Sequence, residues 1–153
     1  MPQADYVWLP RRDILSFEEI STLVDRFTRL GVDRVRITGG EPLLRKYLPD
    51  LVGLLAAKPS IQDLALTTNG ILLADQAEAL RSAGLHRITL SLDTLKPDRF
   101  QALTRFDELD AVLVGLDRAA RIWPQSVKVD SVIIRGVNED EVVNLLEHGR
   151  GLG

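Results

Sequence analysis

Four short runs of strand-forming residues, at 34–38, 64–68, 87–92 and 127–134, alternate with stretches whose apolar residues recur at three- and four-residue spacing. Gly39-Gly40 closes the first run, Asn69-Gly70 closes the second, Gly84 precedes the third and Gly136 follows the fourth. Alternation of this kind predicts an α/β fold of βαβ units with about four parallel strands, either doubly wound or curled toward a barrel. No linker, repeat or low-complexity tract interrupts the chain, so one domain is expected over residues 1–153.

The helical stretches carry their own punctuation. Ser16-Phe17-Glu18-Glu19 is a capping box in sequence, opening a helix to Leu30 with Ile20, Leu23, Val24, Phe27 and Leu30 on one face and Gly31 as its left-handed stop. Further helices are predicted over 49–57 and 74–83, from Asp107 with Leu109, Val112, Leu113 and Leu116 aligned, and over 139–148. For the last, Asn138 is the expected cap and Glu141 its capping-box partner.

Side chains alternate across a strand, so each run divides by parity into two faces. One parity is almost wholly apolar: Val35 and Ile37, Leu64 and Leu66, Ile88, Leu90 and Leu92, and Val129, Ser131 and Ile133. The other collects Arg36, Thr38 and Gly40, then Ala65, Thr67 and Asn69, then Thr89, Ser91 and Asp93, and Lys128, Asp130 and Val132. Charges and hydroxyls in a closed core are costly unless paired or solvated. The polar parity therefore predicts a water-accessible ligand chamber, with an open sheet solvated on one face as the alternative. Arg36 and Lys128 suit a phosphate or carboxylate.

Composition removes several classes. Nineteen Lys and Arg against 22 Asp and Glu give a net charge of -3, so binding of nucleic acid through bulk positive charge is not expected. No apolar run is long enough to span a membrane and the opening residues do not read as a signal peptide, which points to a cytoplasmic protein. The chain has no cysteine, so disulfides, a thiol nucleophile and an iron–sulfur or zinc site built on its own thiolates are excluded, and no metal ligands are expected. His86 and His148 are expected at the surface, and Trp8 and Trp123 in packing roles.

Ligands of parallel α/β folds gather at the carboxyl ends of strands. There Thr38-Gly39-Gly40-Glu41-Pro42 permits close approach of a ligand to backbone, Thr67-Thr68-Asn69-Gly70 offers hydroxyls and an amide, and Ser91-Leu92-Asp93 adds a hydroxyl and a carboxylate. Each turn taken alone also fits a purely structural role, and Asp93 serves equally as a helix cap.

Taken in order, Met1-Pro2, Trp8-Leu9-Pro10, the block Arg36-Ile37-Thr38-Gly39-Gly40-Glu41-Pro42-Leu43-Leu44-Arg45, Leu66-Thr67-Thr68-Asn69-Gly70, Ser91-Leu92-Asp93, Lys128-Val129 and Arg135-Gly136-Val137-Asn138 closely resemble the GTP 3′,8-cyclase family. These are radical S-adenosylmethionine (SAM) enzymes of molybdenum cofactor biosynthesis. The resemblance implies a partial (β/α)6 barrel of the TIM-barrel kind, with a [4Fe–4S] cluster and SAM at one end of the cavity and GTP at the other. It implies SAM binding by Gly40, Ser91 and Glu41, and GTP binding by Arg36, Thr67 and Lys128. A functional link to cyclic pyranopterin monophosphate synthase follows for the parent enzyme.

The family's C-x3-C-x2-C loop, expected just before Met1-Pro2, and its second set of cysteines are not in these 153 residues. The chain thus resembles the middle of the enzyme and is expected to be inactive alone. Two unpaired sheet edges predict self-association, as in a homodimer. Asp130 stands where many relatives are expected to carry Asn. The competing readings are another radical SAM enzyme with a different substrate and a cluster-free nucleotide-binding remnant.

Overall fold

The computed structural model describes Pro10 and residues 13–152, so the Met1-Pro2 and Trp8-Leu9 parts of the opening motif lie outside the described residues. The chain runs through α1 (Phe17–Thr28), β1 (Arg34–Ile37), α2 (Leu48–Ala56), β2 (Asp63–Thr68), α3 (Leu73–Ser82), β3 (Arg87–Ser91), α4 (Pro97–Thr104), α5 (Leu109–Ile122), β4 (Val127–Asp130) and α6 (Val142–Gly151). Single 3₁₀ turns precede α2 and α6, at Pro42–Leu44 and Glu139–Glu141. The strands form one parallel sheet in the order β1-β2-β3-β4. Four parallel strands alternating with helices are the architecture of a partial TIM-like barrel.

The parity division sets the layers. Leu64, Leu66, Ile88, Leu90 and Leu92 are fully buried and pack in one cluster with apolar residues of α2, α3 and α5. Trp123, at the end of α5, is buried and donates its indole N–H to the Leu85 carbonyl at 2.8 Å. Helices α3 and α5 approach closely because Gly115 has no side chain: a Cβ there would stand 2.8 Å from the Gly70 carbonyl oxygen and 3.2 Å from Leu73 Cβ. Gly70 is itself required by its turn, with φ of +84°.

The capping box at Ser16 forms as expected, with Glu19 N–H donating to Ser16 Oγ at 3.1 Å and Ser16 N–H to Glu19 Oε2 at 2.7 Å. The helix it opens is covered on only part of its apolar face. Ile20 and Val24 pack on the core, whereas Leu23, Phe27 and Leu30 are exposed, because α1 packs on α2 at the β1 edge of the sheet.

Four further expectations are corrected. The fourth strand ends at Asp130 instead of reaching residue 134, since its partner β3 ends at Ser91 and leaves no ladder to extend. Helix α5 begins at Leu109 instead of Asp107, and it is preceded by α4, opened by Pro97 at its first position, where no helix is predicted. Asn138 does not cap the last helix and Glu141 does not reach back to it; both side chains are buried and engaged elsewhere, as described below. His86 is half-buried and its Nδ1 accepts the Leu64 N–H at 3.0 Å, which anchors the start of β2. Among the described residues, no helix is long and apolar enough to cross a membrane.

Candidate functional site

The polar parity forms one surface of the sheet. Register places Thr67 beside Thr89 and Thr89 beside Lys128, with Ser91 beside Asp130 one step further toward the strand ends. Arg36 lies on β1 opposite Ala65, and its Nη1 donates to Thr67 Oγ1 and Thr89 Oγ1, both at 3.0 Å. Arg36, Ser91 and Lys128 are exposed, and Thr67 is half-buried. The guanidinium thus lies across three strands, its reach limited by two hydroxyls and its remaining N–H groups free for an anion. Lys128 Nζ stands 2.6 Å from Asp130 Oδ1, two residues along the same strand.

At the β1 end, the Glu41 carboxylate accepts three hydrogen bonds, from the Leu43 N–H at 3.0 Å, the Thr68 hydroxyl at 2.7 Å and the Asn69 N–H at 2.7 Å. Glu41 therefore ties the glycine turn to the end of β2, which fixes Gly39-Gly40 relative to Thr67. Gly39 has φ of +142°, a conformation that favours glycine. Gly40 does not: its φ lies outside that region, and a Cβ there would meet nothing within 4 Å. The chain's own packing gives no reason for glycine at position 40. Open space at a strand end, beside a fixed turn, fits the close approach of a ligand.

The third strand end is held by Asp93, Ser131 and Asn138, of which Asn138 is expected as a helix cap and Asp93 as either a cap or a ligand contact. Asp93 Oδ1 accepts the Val132 N–H at 2.7 Å, and Ser131 Oγ donates to the Leu92 carbonyl. Buried Asn138 donates through Nδ2 to the Asp93 carbonyl at 2.7 Å and the Val132 carbonyl at 2.9 Å, and accepts the Ile134 N–H at 2.6 Å. Buried Glu141 accepts the Thr94 hydroxyl at 2.6 Å, the Leu95 N–H at 2.8 Å and a short hydrogen bond from Arg99. Burial pushes the Glu141 carboxyl up, but the bonds from Thr94, Leu95 and Arg99 more than offset this and hold it below its ordinary range. Asp140, exposed beside it, is held at about 2 by hydrogen bonds from Lys96 and Arg99. Arg99 is raised, chiefly by its hydrogen bond to Asp140. A spacing of Asn138 and Glu141 that reads as a capping box conceals this latch, because the same residue types serve both roles.

No group of three or more His, Asp or Glu side chains gathers as a metal site among the described residues, and the chain has no cysteine. These residues do not fit an iron–sulfur cluster, and no chemical step through one is assigned to them.

A parallel sheet with a polar face and a glycine turn at its carboxyl edge puts polar groups where parallel α/β proteins gather their ligands. The Radical SAM superfamily model matches residues 4–149, and the chain belongs to that superfamily. Within it, the chain is 50% identical over 156 residues to GTP 3′,8-cyclase 3 of Mycobacterium bovis, covering 99% of this chain and 41% of that protein. It is 48% identical over 154 residues to GTP 3′,8-cyclase 1 of Mycobacterium tuberculosis, covering 98% and 43%, and 52% identical over 140 residues to GTP 3′,8-cyclase of Xanthomonas axonopodis pv. citri, covering 91% and 42%. The chain thus spans less than half the length of the curated relatives it matches.

Proposed function

We propose that this chain is the ligand-holding middle of a GTP 3′,8-cyclase, the radical SAM lyase that acts first in molybdenum cofactor biosynthesis. The observation that carries the reading is Arg36 stretched over Thr67 and Thr89 beside the Lys128 strand. In this reading Arg36, Thr67 and Lys128 take the triphosphate of GTP, whose negative charge two exposed cations and a hydroxyl suit. Gly40, Ser91 and Glu41 form the SAM side: Gly40 leaves room for the ligand to meet backbone, Glu41 fixes that turn, and Ser91 offers a hydroxyl from the neighbouring strand end.

SAM, once bound, would supply the radical chemistry that joins C3′ to C8 of GTP, with the electron for its cleavage coming from outside this chain; the residues of this chain would bind and orient the two ligands. Two ligands held along one rigid sheet have their reacting ends set by strand spacing, which is how positioning lowers a barrier. The reading carries with it a cytoplasmic location, a product passed to cyclic pyranopterin monophosphate synthase, and self-association through the β1 and β4 edges.

The test is equilibrium binding of radiolabelled GTP and SAM to the 153-residue chain. Arg36→Ala is expected to weaken GTP binding at least tenfold with SAM binding little changed. Gly40→Ala is expected to weaken SAM binding with the melting temperature unchanged, since its Cβ meets only open space. GTP binding indifferent to Arg36→Ala would refute the assignment of the phosphate subsite.

A further inference from the structure

Lys128 is the cation the phosphate subsite needs, yet it is already spoken for. Its Nζ lies 2.6 Å from Asp130 Oδ1, and the pair is exposed, with side-chain accessibilities of 67% and 49%. The two residues share a strand and a face, two positions apart, so the pair is built by β4 alone and needs no ligand. Register sets Asp130 directly opposite Ser91 and sets Lys128 directly opposite Thr89, one of the two hydroxyls that hold Arg36. Asp130 therefore stands on the boundary between the two subsites, bonded to the GTP side and adjacent to the SAM side.

We infer that Asp130 is a specificity-determining residue that couples the two ligands by exchanging its partner. The inference rests on the function proposed above. An incoming triphosphate must displace the Asp130 carboxylate from Lys128, and this competition lowers affinity for the anion. SAM carries a sulfonium, and that cation arriving beside Ser91 offers the carboxylate a replacement partner. Asp130 then turns from Lys128 to that cation and leaves the ammonium free for phosphate. Each ligand frees the group that the other requires, so the two bind with positive and reciprocal cooperativity. The exchange is confined to rotamers of two solvated side chains and needs no backbone movement.

An exposed ion pair is worth little, so its release is worth a small factor in affinity, about two- to fivefold. The experiment measures GTP binding to the 153-residue chain at low ionic strength, alone and with saturating SAM, for the unaltered chain, Asp130→Asn, Lys128→Gln and the double variant. The unaltered chain is expected to bind GTP about two- to fivefold more tightly with SAM present. Asp130→Asn is expected to reach that higher affinity without SAM and to gain nothing further from it. Lys128→Gln weakens binding, and adding Asp130→Asn to it restores nothing. Circular dichroism and melting temperature are expected to be the same for all four proteins, because both positions are exposed.

The outcomes separate cleanly. If Arg36→Ala and Lys128→Gln weaken GTP binding but Asp130→Asn matches or falls below the unaltered chain, the partner exchange is overturned and the phosphate subsite stands. If Asp130→Asn binds GTP more tightly but SAM still adds the same factor, competition holds and the coupling is overturned. If the unaltered chain binds no GTP, the proposed function fails for this chain and the inference falls with it.

Discussion

Replacing Asn138 by Ala tests whether the loops after β3 and β4 are held together by one buried amide. Asn138 has no exposed surface and makes three hydrogen bonds, at 2.6, 2.7 and 2.9 Å, to Ile134, Asp93 and Val132. Each such bond contributes about 1 kcal/mol net, so the substitution is expected to cost about 2–4 kcal/mol. Ala neither accepts from the Ile134 N–H nor donates to the Asp93 carbonyl, and the space it vacates adds to the loss. With a urea dependence of about 2 kcal/mol per M for a chain of this size, the midpoint is expected to fall by about 1–2 M with an unchanged slope. The melting temperature drops by about 6–12 °C on the same reasoning. Asn69→Ala is the matched control, since the Asn69 side chain accepts one local bond, from the Ile71 N–H, and its loss is expected to cost about 1 kcal/mol. A loss below about 1 kcal/mol at Asn138, or one no greater than at Asn69, would show that the amide is not the fastening and that Glu141 and Asp93 hold the loops without it.

Acid is expected to loosen the same region first. Asp140 is held at about 2 against an ordinary value of 3.8, so its stabilising pairs with Lys96 and Arg99 are complete above pH 3.8 and are lost as pH falls toward 2; Glu141, also lowered, is lost in the same direction. Urea midpoints measured down this range should decline, and Asp140→Asn should flatten the decline, a contrast that added salt diminishes. Gly115→Ala is expected to destabilise by about 1–3 kcal/mol despite alanine's better helix propensity, because its Cβ would stand 2.8 Å from the Gly70 backbone oxygen; a neutral or stabilised variant in thermal melts would mean that α3 and α5 separate freely.

The alternation of strands and helices was legible because periodicity and turn residues report what a segment buries. Ser16 and Gly31 marked their helix from sequence alone, and Gly31 has the left-handed φ of 91° its position required. The parity of β1 to β4 separated the buried face from the one that carries Arg36, Thr67, Ser91 and Lys128. What failed was long-range. A pattern of residues carries no notice that β3 stops at Ser91, so β4 was read too far, and nothing local tells that Glu141 reaches Thr94, 47 positions away in sequence. Helix α4 did have a local sign, Pro97 followed by Asp98 at a helix start, but its short apolar stripe buries only Phe100. The Lys128–Asp130 pair was within reach of sequence, since residues two apart on a strand share a face.

The sheet order β1-β2-β3-β4 also bears on how the chain acquires its structure. Every strand pairs with its nearest strands in sequence, across intervals of about 20 to 40 residues, so loop closure is modest at each addition. A nascent chain emerging from the ribosome can dock β2 on β1 before β3 has been synthesised, and β3 on β2 before β4. Among the described residues, assembly of this sort proceeds by accretion at one moving edge, with no strand obliged to wait for a distant partner.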